Sequence, residues 1–423
     1  MKLSSTQTET GQTAELNVSA GSSPSSFNNF LRSLVPGIII AAMIFGPSKI
    51  TITTMLGAYY DYSLLWIVVV AIFFMVVFMN MSARIGIATS KSLLTTMSEK
   101  WGRPIGIAIG IGIFLVAASF QAGNSIGVGI SLAEPTNTPM YVWIIFFNLL
   151  AVSFLFFKSF YKVLSKIMVG LVFLMLFAFI TTLVLAKPSL SCIIGGFAPS
   201  VPVGSAGLII AFIASCFSIV GAFYQSYLVQ ERRRLNPGVT QTGKESFTGM
   251  CILGLMSAIL MICSAVVLHP KGVKIEAATD MAKALEPAFG KYAAYLFLAG
   301  LFGASFSALI GNATIGGSLL GDALGYGGNL SSKTGRVLIA LVMFIGAVMA
   351  IAFGKLPIQL IVVAQAVTIF IVPFIGIAMF LVANDRKLMG EYRNKAFSNI
   401  AGIVGLLLII FLALNNAKTL FFN

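Results

Sequence analysis

A lysine lies inside the first long apolar segment of this 423-residue chain, beside a sequence that interrupts helices. The segment contains Gly46, Pro47, Ser48 and Lys49 in succession. Proline inside a helix removes a backbone donor and breaks the hydrogen-bond ladder. Lys49 is roughly 22 Å from the start of the segment, too far for its amine to reach the nearer membrane interface. A charge at mid-membrane indicates a functional site, and a simple proline kink with a structural lysine is the alternative.

Other groups that could do chemistry are scarce. All thirteen acidic residues fall in tails, loops or segment ends, so Lys49 has no obvious counter-ion. The one histidine, His269, lies at a segment end, and the four cysteines show neither metal-ligand spacing nor a disulfide framework. Because neither a nucleophile–base pair nor a phosphate-binding loop is visible, the sequence predicts neither an enzyme nor a bound cofactor.

The composition is that of a membrane protein. Apolar residues make up 58% of the chain and charged residues 9%, whereas a soluble domain carries roughly 25% charged residues. The net charge of +14 comes from single basic residues between apolar stretches. This pattern is typical of loops that flank membrane helices and not of a nucleic-acid surface. We therefore expect a multi-pass protein in a lipid bilayer, with no nucleic-acid partner.

Eleven apolar runs are long enough to cross a bilayer core of about 30 Å. They predict transmembrane helices at 34–57, 63–83, 104–131, 140–157, 161–186, 205–230, 247–268, 292–321, 335–353, 357–382 and 397–415. Nineteen basic residues then lie on one side and seven on the other, which favours a cytoplasmic N-terminus and an outer C-terminus. The polar residues 1–28 predict a disordered cytoplasmic tail before a transmembrane domain at 29–423. The pattern says nothing about oligomeric state.

The sixth segment carries a weaker version of the interruption in the first. Interrupted helices at corresponding places of two five-helix halves indicate a midplane site in inverted-repeat transporters. We therefore predict an all-α, alternating-access secondary transporter with a five-plus-five inverted repeat. Its repeats are expected at about 34–186 and 205–382, with an extra helix at 397–415 and discontinuous helices one and six. The predicted substrate-binding residues are Gly46, Pro47, Ser48, Lys49, Ser218, Ile219, Val220 and Gly221.

Four sequence motifs give the chain a family resemblance. They are residues 83–89 with Lys91 after the second segment, Gln230 after the sixth, residues 360–366 in the tenth, and residues 385–390 after it. In these motifs the chain resembles the Nramp family of proton-coupled divalent-metal transporters, along nearly its whole length. The resemblance implies the eleven-segment inverted-repeat fold with an inner N-terminus, and we expect a bacterial inner membrane.

The residues that the family uses for metal are replaced. The family motif Asp-Pro-Gly-Asn aligns on Gly46 to Lys49, and Met-Pro-His aligns on Ser218 to Val220. The acids thought to pass protons fall on Gln121 and Asn124. Two positive charges about 4 Å apart repel by about 4 kcal/mol at an effective dielectric of 20, and by twice that for a divalent ion. We therefore expect a chain that does not transport divalent metal.

The altered site favours a small anion, with bicarbonate as the best single candidate and sodium as a candidate coupling ion. Lys49, the hydroxyls of Ser48 and Ser218, and the N–H groups of two half-helices are all donors for an oxyanion. Two alternatives remain open: an amino-acid transporter in which Lys49 replaces a coupling cation, and a membrane sensor that does not transport. Polar residues that could line the path are Gln121, Asn124, Gln225, Ser305, Ser307 and Asn312.

Overall fold

Helices make up nearly all of the chain described by the computed structural model, and no strand occurs among the described residues. These are residues 45–156, 158–216, 219–235, 243–328, 332–353 and 368–421. Short 3₁₀ turns occur at His269–Lys271, Lys283–Leu285, Gly290–Tyr292 and Gly390–Tyr392. The α-helices are α1 (Pro47–Tyr60), α2 (Leu65–Ala88), α3 (Leu93–Trp101), α4 (Arg103–Thr136), α5 (Met140–Phe154), α6 (Lys158–Ala186), α7 (Leu190–Gly195), α8 (Ala206–Cys216), α9 (Ile219–Leu235), α10 (Gly243–Val267), α11 (Ala278–Ala282), α12 (Glu286–Phe289), α13 (Ala293–Ala323), α14 (Lys333–Ala352), α15 (Val372–Ala383), α16 (Arg386–Met389) and α17 (Ala396–Phe421).

The all-α polytopic class is confirmed. Within the described ranges, seven helical stretches are long and apolar enough to cross a membrane, and three shorter apolar helices accompany them. The number of eleven crossings stays a prediction. The spans predicted at 34–57 and 357–382 lie partly outside the described residues, and the tail predicted at 1–28 lies wholly outside them. The motif at residues 360–366 lies outside them as well.

A sharp turn between α3 and α4 follows directly from the sequence. Ser92 caps α3, because its Oγ accepts the N–H of Thr95 at 3.1 Å. The chain then reverses at Gly102, whose φ of +95° lies in the region that favours glycine. Pro104 follows in the first turn of α4, where a missing N–H does no harm. This turn places α3 against the end of α13.

The helices pack in two groups. The first, which we call the scaffold, is built on the long pair α4 and α13, with α5, α6 and α14 against them. The second, which we call the bundle, contains α1, α2, α9 and α10, with α2 packed on α9 and α1 packed on α10. α1 also contacts both α4 and α13, so it lies where the two groups meet.

The two ends of the helices differ in charge. We call the end where α2, α9 and α13 finish the basic end; it carries Arg84, Lys91, Lys100, Arg103, Arg233 and Arg234, among others. Lys100 forms an ion pair with Asp385 there, and this contact lowers the pKa of Asp385 below its usual value. We call the opposite end, where α1 and α4 finish and residues 268–292 lie, the far end.

A glycine lets α1 approach α10 closely. A Cβ atom on Gly57 would lie 2.2 Å from the carbonyl oxygen of Met261 and 2.9 Å from the Cβ of Ser264. Small residues at such contacts allow membrane helices to pack backbone against backbone. Gly57 therefore fixes the position of α1, and with it the position of Lys49, relative to the bundle.

We expect Gly57→Ala to destabilise the protein by about 1 to 3 kcal/mol, because the added methyl group overpacks the α1–α10 contact. The measurement is the thermal unfolding midpoint of the purified protein in detergent. Gly170→Ala on α6 is the matched control, since a Cβ atom at Gly170 meets nothing within 4 Å. That control should be neutral or slightly stabilising. Equal midpoints for the two variants would contradict the close contact.

Candidate functional site

α1 begins inside the protein, at the place where the sequence predicted an interruption. Gly46 is extended, with φ −80° and ψ 176°. Its carbonyl oxygen accepts the N–H groups of Lys49 at 3.1 Å and Ile50 at 3.2 Å. Pro47 occupies the first helical position, where it is well tolerated. All residues from 45 to 54 are buried, so α1 starts in the interior of the protein and not at its surface.

Lys49 is buried without a partner. Its side chain is 2% exposed, and its Nζ has no hydrogen-bond partner among the described residues. The hydroxyls of Thr51 and Thr53, two and four residues after Lys49 on α1, are also buried and also lack a partner in the described part of the chain. Burying a polar group without a partner costs roughly 1 to 3 kcal/mol. The first two turns of α1 therefore contain three buried polar side chains. No hydrogen bond within the described part of the chain offsets the free-energy cost of burying these groups.

The start of α1 packs against both long scaffold helices. A Cβ atom on Gly127 of α4 would lie 2.6 Å from the Cβ of Pro47 and 2.2 Å from the Oγ of Ser305 on α13. Ser305 is fully buried and donates its hydroxyl proton to the carbonyl oxygen of Leu301, at 2.6 Å. The structure thus brings together Pro47 and Ser305, two of the residues selected from the sequence, with Gly127 between them.

Amide side chains connect α4 and α13. Gln121, which is fully buried, donates from its Nε2 to the carbonyl oxygen of Leu309 at 3.0 Å. Asn312 donates from its Nδ2 to the carbonyl oxygen of Ala117 at 2.6 Å and to the Oε1 of Gln121 at 3.3 Å. These two predicted pathway residues are therefore in contact across the helix pair. The side-chain amide nitrogens of both residues donate to oxygen atoms of the protein.

Three other predicted pathway residues are buried as well. Asn124 is 5% exposed and donates to the Oε1 of Gln121 at 3.5 Å, at the limit of a hydrogen bond. Ser307 on α13 is 6% exposed and Gln225 on α9 is 4% exposed. The assignment of these residues to a transport path stays a prediction.

The sixth segment is described on both sides of residues 217–218, which lie outside the described residues. α8 ends at Cys216 and α9 begins at Ile219. Ser218 lies outside the described residues, as does the side chain of Ile219. Val220 is 3% exposed, and Gly221 is half-buried. α8 packs against α1, so the first half of the sixth segment and α1 are neighbours.

No cluster of three or more histidine, cysteine, aspartate or glutamate side chains occurs in the described ranges. At the start of α1, the polar side chains of residues 45 to 54 are hydroxyls and the Lys49 amine, with no carboxylate among them. Sequence reasoning did not select Thr51 and Thr53, whose hydroxyls the structure buries in the first two turns of α1. The signal was present, because residues 49–54 read Lys-Ile-Thr-Ile-Thr-Thr, a run of hydroxyls within an apolar segment.

Solved structures show the same fold. The manganese transporter of Eremococcus coleocola, in complex with an aromatic bis-isothiourea compound, superposes with a TM-score of 0.73 at 18% identity, covering 95% of this chain and 89% of that one. Mhp1, a nucleobase-cation-symport-1 family transporter, superposes with a TM-score of 0.62 at 16% identity, covering 92% and 93%. The predicted inverted-repeat fold is thereby confirmed.

Sequence relatives match along nearly the whole chain. The divalent metal cation transporter MntH of Deinococcus radiodurans is 26% identical over 406 residues, covering 93% of this chain and 90% of that protein. The protein of the same name from Caldanaerobacter subterraneus is 26% identical over 390 residues, covering 89% and 90%. MntH of Staphylococcus aureus is 25% identical over 415 residues, covering 92% and 90%.

These relatives overturn the predicted substrate. The prediction of a small anion such as bicarbonate, both as substrate and as partner, is wrong, and so is the prediction that the chain is not a divalent-metal transporter. The amino-acid and sensor alternatives lose their support for the same reason. The site chemistry is compatible with this correction, because a hydroxyl counted as a donor for an anion also carries acceptor lone pairs that can bind a cation. The donors of Gln121, Ser305 and Asn312, three of the predicted path residues, are used on carbonyl oxygens.

A family model matches most of the chain, including the first and sixth segments. The model described as Natural resistance-associated macrophage protein-like, or Nramp, matches residues 37–418. The match includes α1 with Lys49, both α8 and α9, and the long pair α4 and α13. With the relatives and the fold, it makes this chain a multi-pass integral membrane protein that belongs to the Nramp family.

Proposed function

We propose that the chain is a secondary transporter of a divalent metal cation, working by alternating access, and not an enzyme. The observation that carries the proposal is the likeness, over about nine-tenths of both chains, to proteins named divalent metal cation transporters. The interrupted α1 supports it, because broken helices in inverted-repeat transporters form the midplane site for substrate and coupling ions.

The proposed site consists of Gly46, Pro47, Ser48 and Lys49 at the start of α1, with Ser218, Ile219, Val220 and Gly221 at the break between α8 and α9. Oxygen donors suit hard divalent cations. In the described part of α1 they are the hydroxyls of Ser48, Thr51 and Thr53, and two of these hydroxyls have no partner there. Carbonyl oxygens at a helix break add neutral ligands of the same kind.

Lys49 sets the affinity of such a site. A protonated amine about 4 Å from a divalent cation opposes binding by roughly 8 kcal/mol at an effective dielectric of 20. Neutral oxygens offset only part of this, so the site should bind metal weakly and operate at high metal concentration. In this proposal, Gly46 and Lys49 separate the chain from the family motif, whose aspartate aligns with Gly46 and whose asparagine aligns with Lys49.

The orientation is proposed from charge. The basic end should face the cytoplasm, because positively charged loops are retained on that side. The N-terminus would then be cytoplasmic and the C-terminus outside, in a bacterial inner membrane. A substrate released at the basic end would enter the cell.

Purified protein in liposomes should take up Mn²⁺ in a saturable way, measured by quenching of a trapped metal-sensitive dye. We expect Lys49→Asn to lower the half-saturating Mn²⁺ concentration at least about tenfold, because it removes the opposing charge. Lys91→Asn is the control, since Lys91 lies in an exposed ion pair with Glu99, and it should leave uptake unchanged. No uptake by the unmodified protein would contradict divalent-metal transport. Unchanged affinity in Lys49→Asn would contradict the position of Lys49 beside the ion.

Lys49→Met should raise the thermal unfolding midpoint, by about 1 to 3 kcal/mol in unfolding free energy, because it removes a buried polar group that has no partner. Methionine keeps the length of the side chain. Lys91→Met is the control and should change stability by less than about 0.5 kcal/mol, since exposed ion pairs contribute little. A lower midpoint for Lys49→Met would show that Nζ has a stabilising partner in the folded protein.

A further inference from the structure

A carboxylate at the end of α4 holds the connection between α10 and α13. Glu134 lies two residues before the end of α4, at the far end of the molecule. Its Oε1 accepts the N–H of Ala278, and its Oε2 accepts the N–H of Thr279, both at 3.1 Å. Each oxygen thus binds one N–H at the start of α11. α4 of the scaffold is thereby hydrogen-bonded to the segment that connects α10 of the bundle to α13.

A tyrosine on α1 binds the same connecting segment. The hydroxyl of Tyr59, in the last turn of α1, accepts the N–H of Ile275 at 2.9 Å. Residues 275–279 are therefore held from two sides, by α1 of the bundle and by α4 of the scaffold. We call Glu134, Tyr59 and these backbone groups the far-end latch.

The basic end contains the same set of groups. Asp322, one residue before the end of α13, accepts the Oγ of Ser92 at 2.6 Å and the hydroxyl of Tyr227 at 2.7 Å, both on its Oδ2. The hydroxyl of Tyr227, on α9, in turn accepts the N–H of Leu94 at 3.3 Å. Ser92 and Leu94 begin α3, in the connection between α2 and α4. We call these groups the basic-end latch.

The two latches correspond under the inverted repeat. α4 and α13 are the third helices of the two halves, and each carries its acid close to its C-terminal end. α3 and α11 lie in the connections that precede α4 and α13. Tyr59 and Tyr227 lie on the second halves of the two interrupted helices, and each accepts a backbone N–H from its connection. The same three kinds of group therefore occur at both ends.

We propose that Glu134 with Tyr59, and Asp322 with Tyr227, are paired gating groups, each of which closes one end of the transport path. At each end the groups join the bundle to the scaffold, and these are the two bodies that must separate when an inverted-repeat transporter opens. Hydrogen bonds of this kind are weak enough to break and re-form on the timescale of such motions. The inference concerns the alternating movement and holds for any substrate, so it stands or falls independently of divalent-metal transport.

Tyr59→Phe and Tyr227→Phe are a matched test, because each removes one hydroxyl and nothing else. Spin labels at Lys91 and Tyr326 report the width of the basic end, and labels at Tyr141 and Lys274 report the far end. The side chains at all four positions are exposed. The labels are attached to introduced cysteines, with Cys192, Cys216, Cys251 and Cys263 replaced by serine. Distances are measured by double electron–electron resonance on the full chain in lipid nanodiscs.

We expect Tyr227→Phe to increase the open-to-closed ratio at the basic end about 3- to 10-fold and to leave the far end closed. Tyr59→Phe should increase the open-to-closed ratio at the far end by a similar factor and leave the basic end closed. Asp322→Ala and Glu134→Ala should act in the same direction as the tyrosine variant at their own end. Tyr392→Phe, a change at an exposed tyrosine, should alter neither distance.

Two results would overturn the proposal. One is that the two tyrosine variants leave both distance distributions unchanged. The other is that they open the same end, as a general loosening of the fold would do. If a tyrosine variant does not fold, the alanine variant of the acid at that end decides the question, and the distances do not depend on whether Mn²⁺ is transported.

Discussion

A helix that starts in the interior of a membrane protein leaves backbone groups that lipid cannot satisfy, and the rest of this structure depends on enclosing them. α1 meets this constraint at Gly46, whose carbonyl closes the first turn. Pro47 has no N–H to satisfy. Gly127 and Ser305 bring α4 and α13 against this start, and Gly57 brings α10 against the rest of α1. The long scaffold pair and the close bundle contact both serve to enclose the broken end.

Much of this arrangement could be predicted from the sequence. Bilayer thickness sets the length of an apolar run, so the helices were recognisable, and a proline beside Lys49 marked the start of α1. The polar residues selected on the third and eighth segments are buried, apart from the half-buried Asn312, and their assignment to a transport path stays a prediction. Their pairing was not predictable, because Gln121 and Asn312 are 191 positions apart and the pattern shows only that a buried amide needs a partner. The latches were missed for the same reason, since their acids were taken as ordinary segment ends.

The substrate could not be predicted because the site was interpreted from one charge. The charge of Lys49 shows only that a cation is repelled at one point of the site. Selectivity is the difference between the binding free energies of two ions, and all groups of the site contribute to it. The hydroxyls of Ser48 and Ser218 were the weak step in that interpretation. A hydroxyl has one donor and two acceptor lone pairs, so it can contact an anion or a cation. The hydroxyls counted as donors for bicarbonate are equally acceptors for a metal ion.

The two ends of the molecule are closed by groups of the same chemistry, and this has a consequence for transport. In our proposal the latches act on opposite ends, and their contacts differ, since Glu134 accepts two backbone N–H groups whereas Asp322 accepts two hydroxyl groups. Beyond the strength of these contacts, the balance between the two open forms is set by whatever binds between the latches and by the gradients across the membrane. A ligand can shift such an equilibrium only by its difference in affinity for the two open forms. In the proposed function, Lys49 keeps metal binding weak, so the ion contributes little binding energy to the opening of either gate. Latches made of single hydrogen bonds fit this proposal, because such bonds break at small cost.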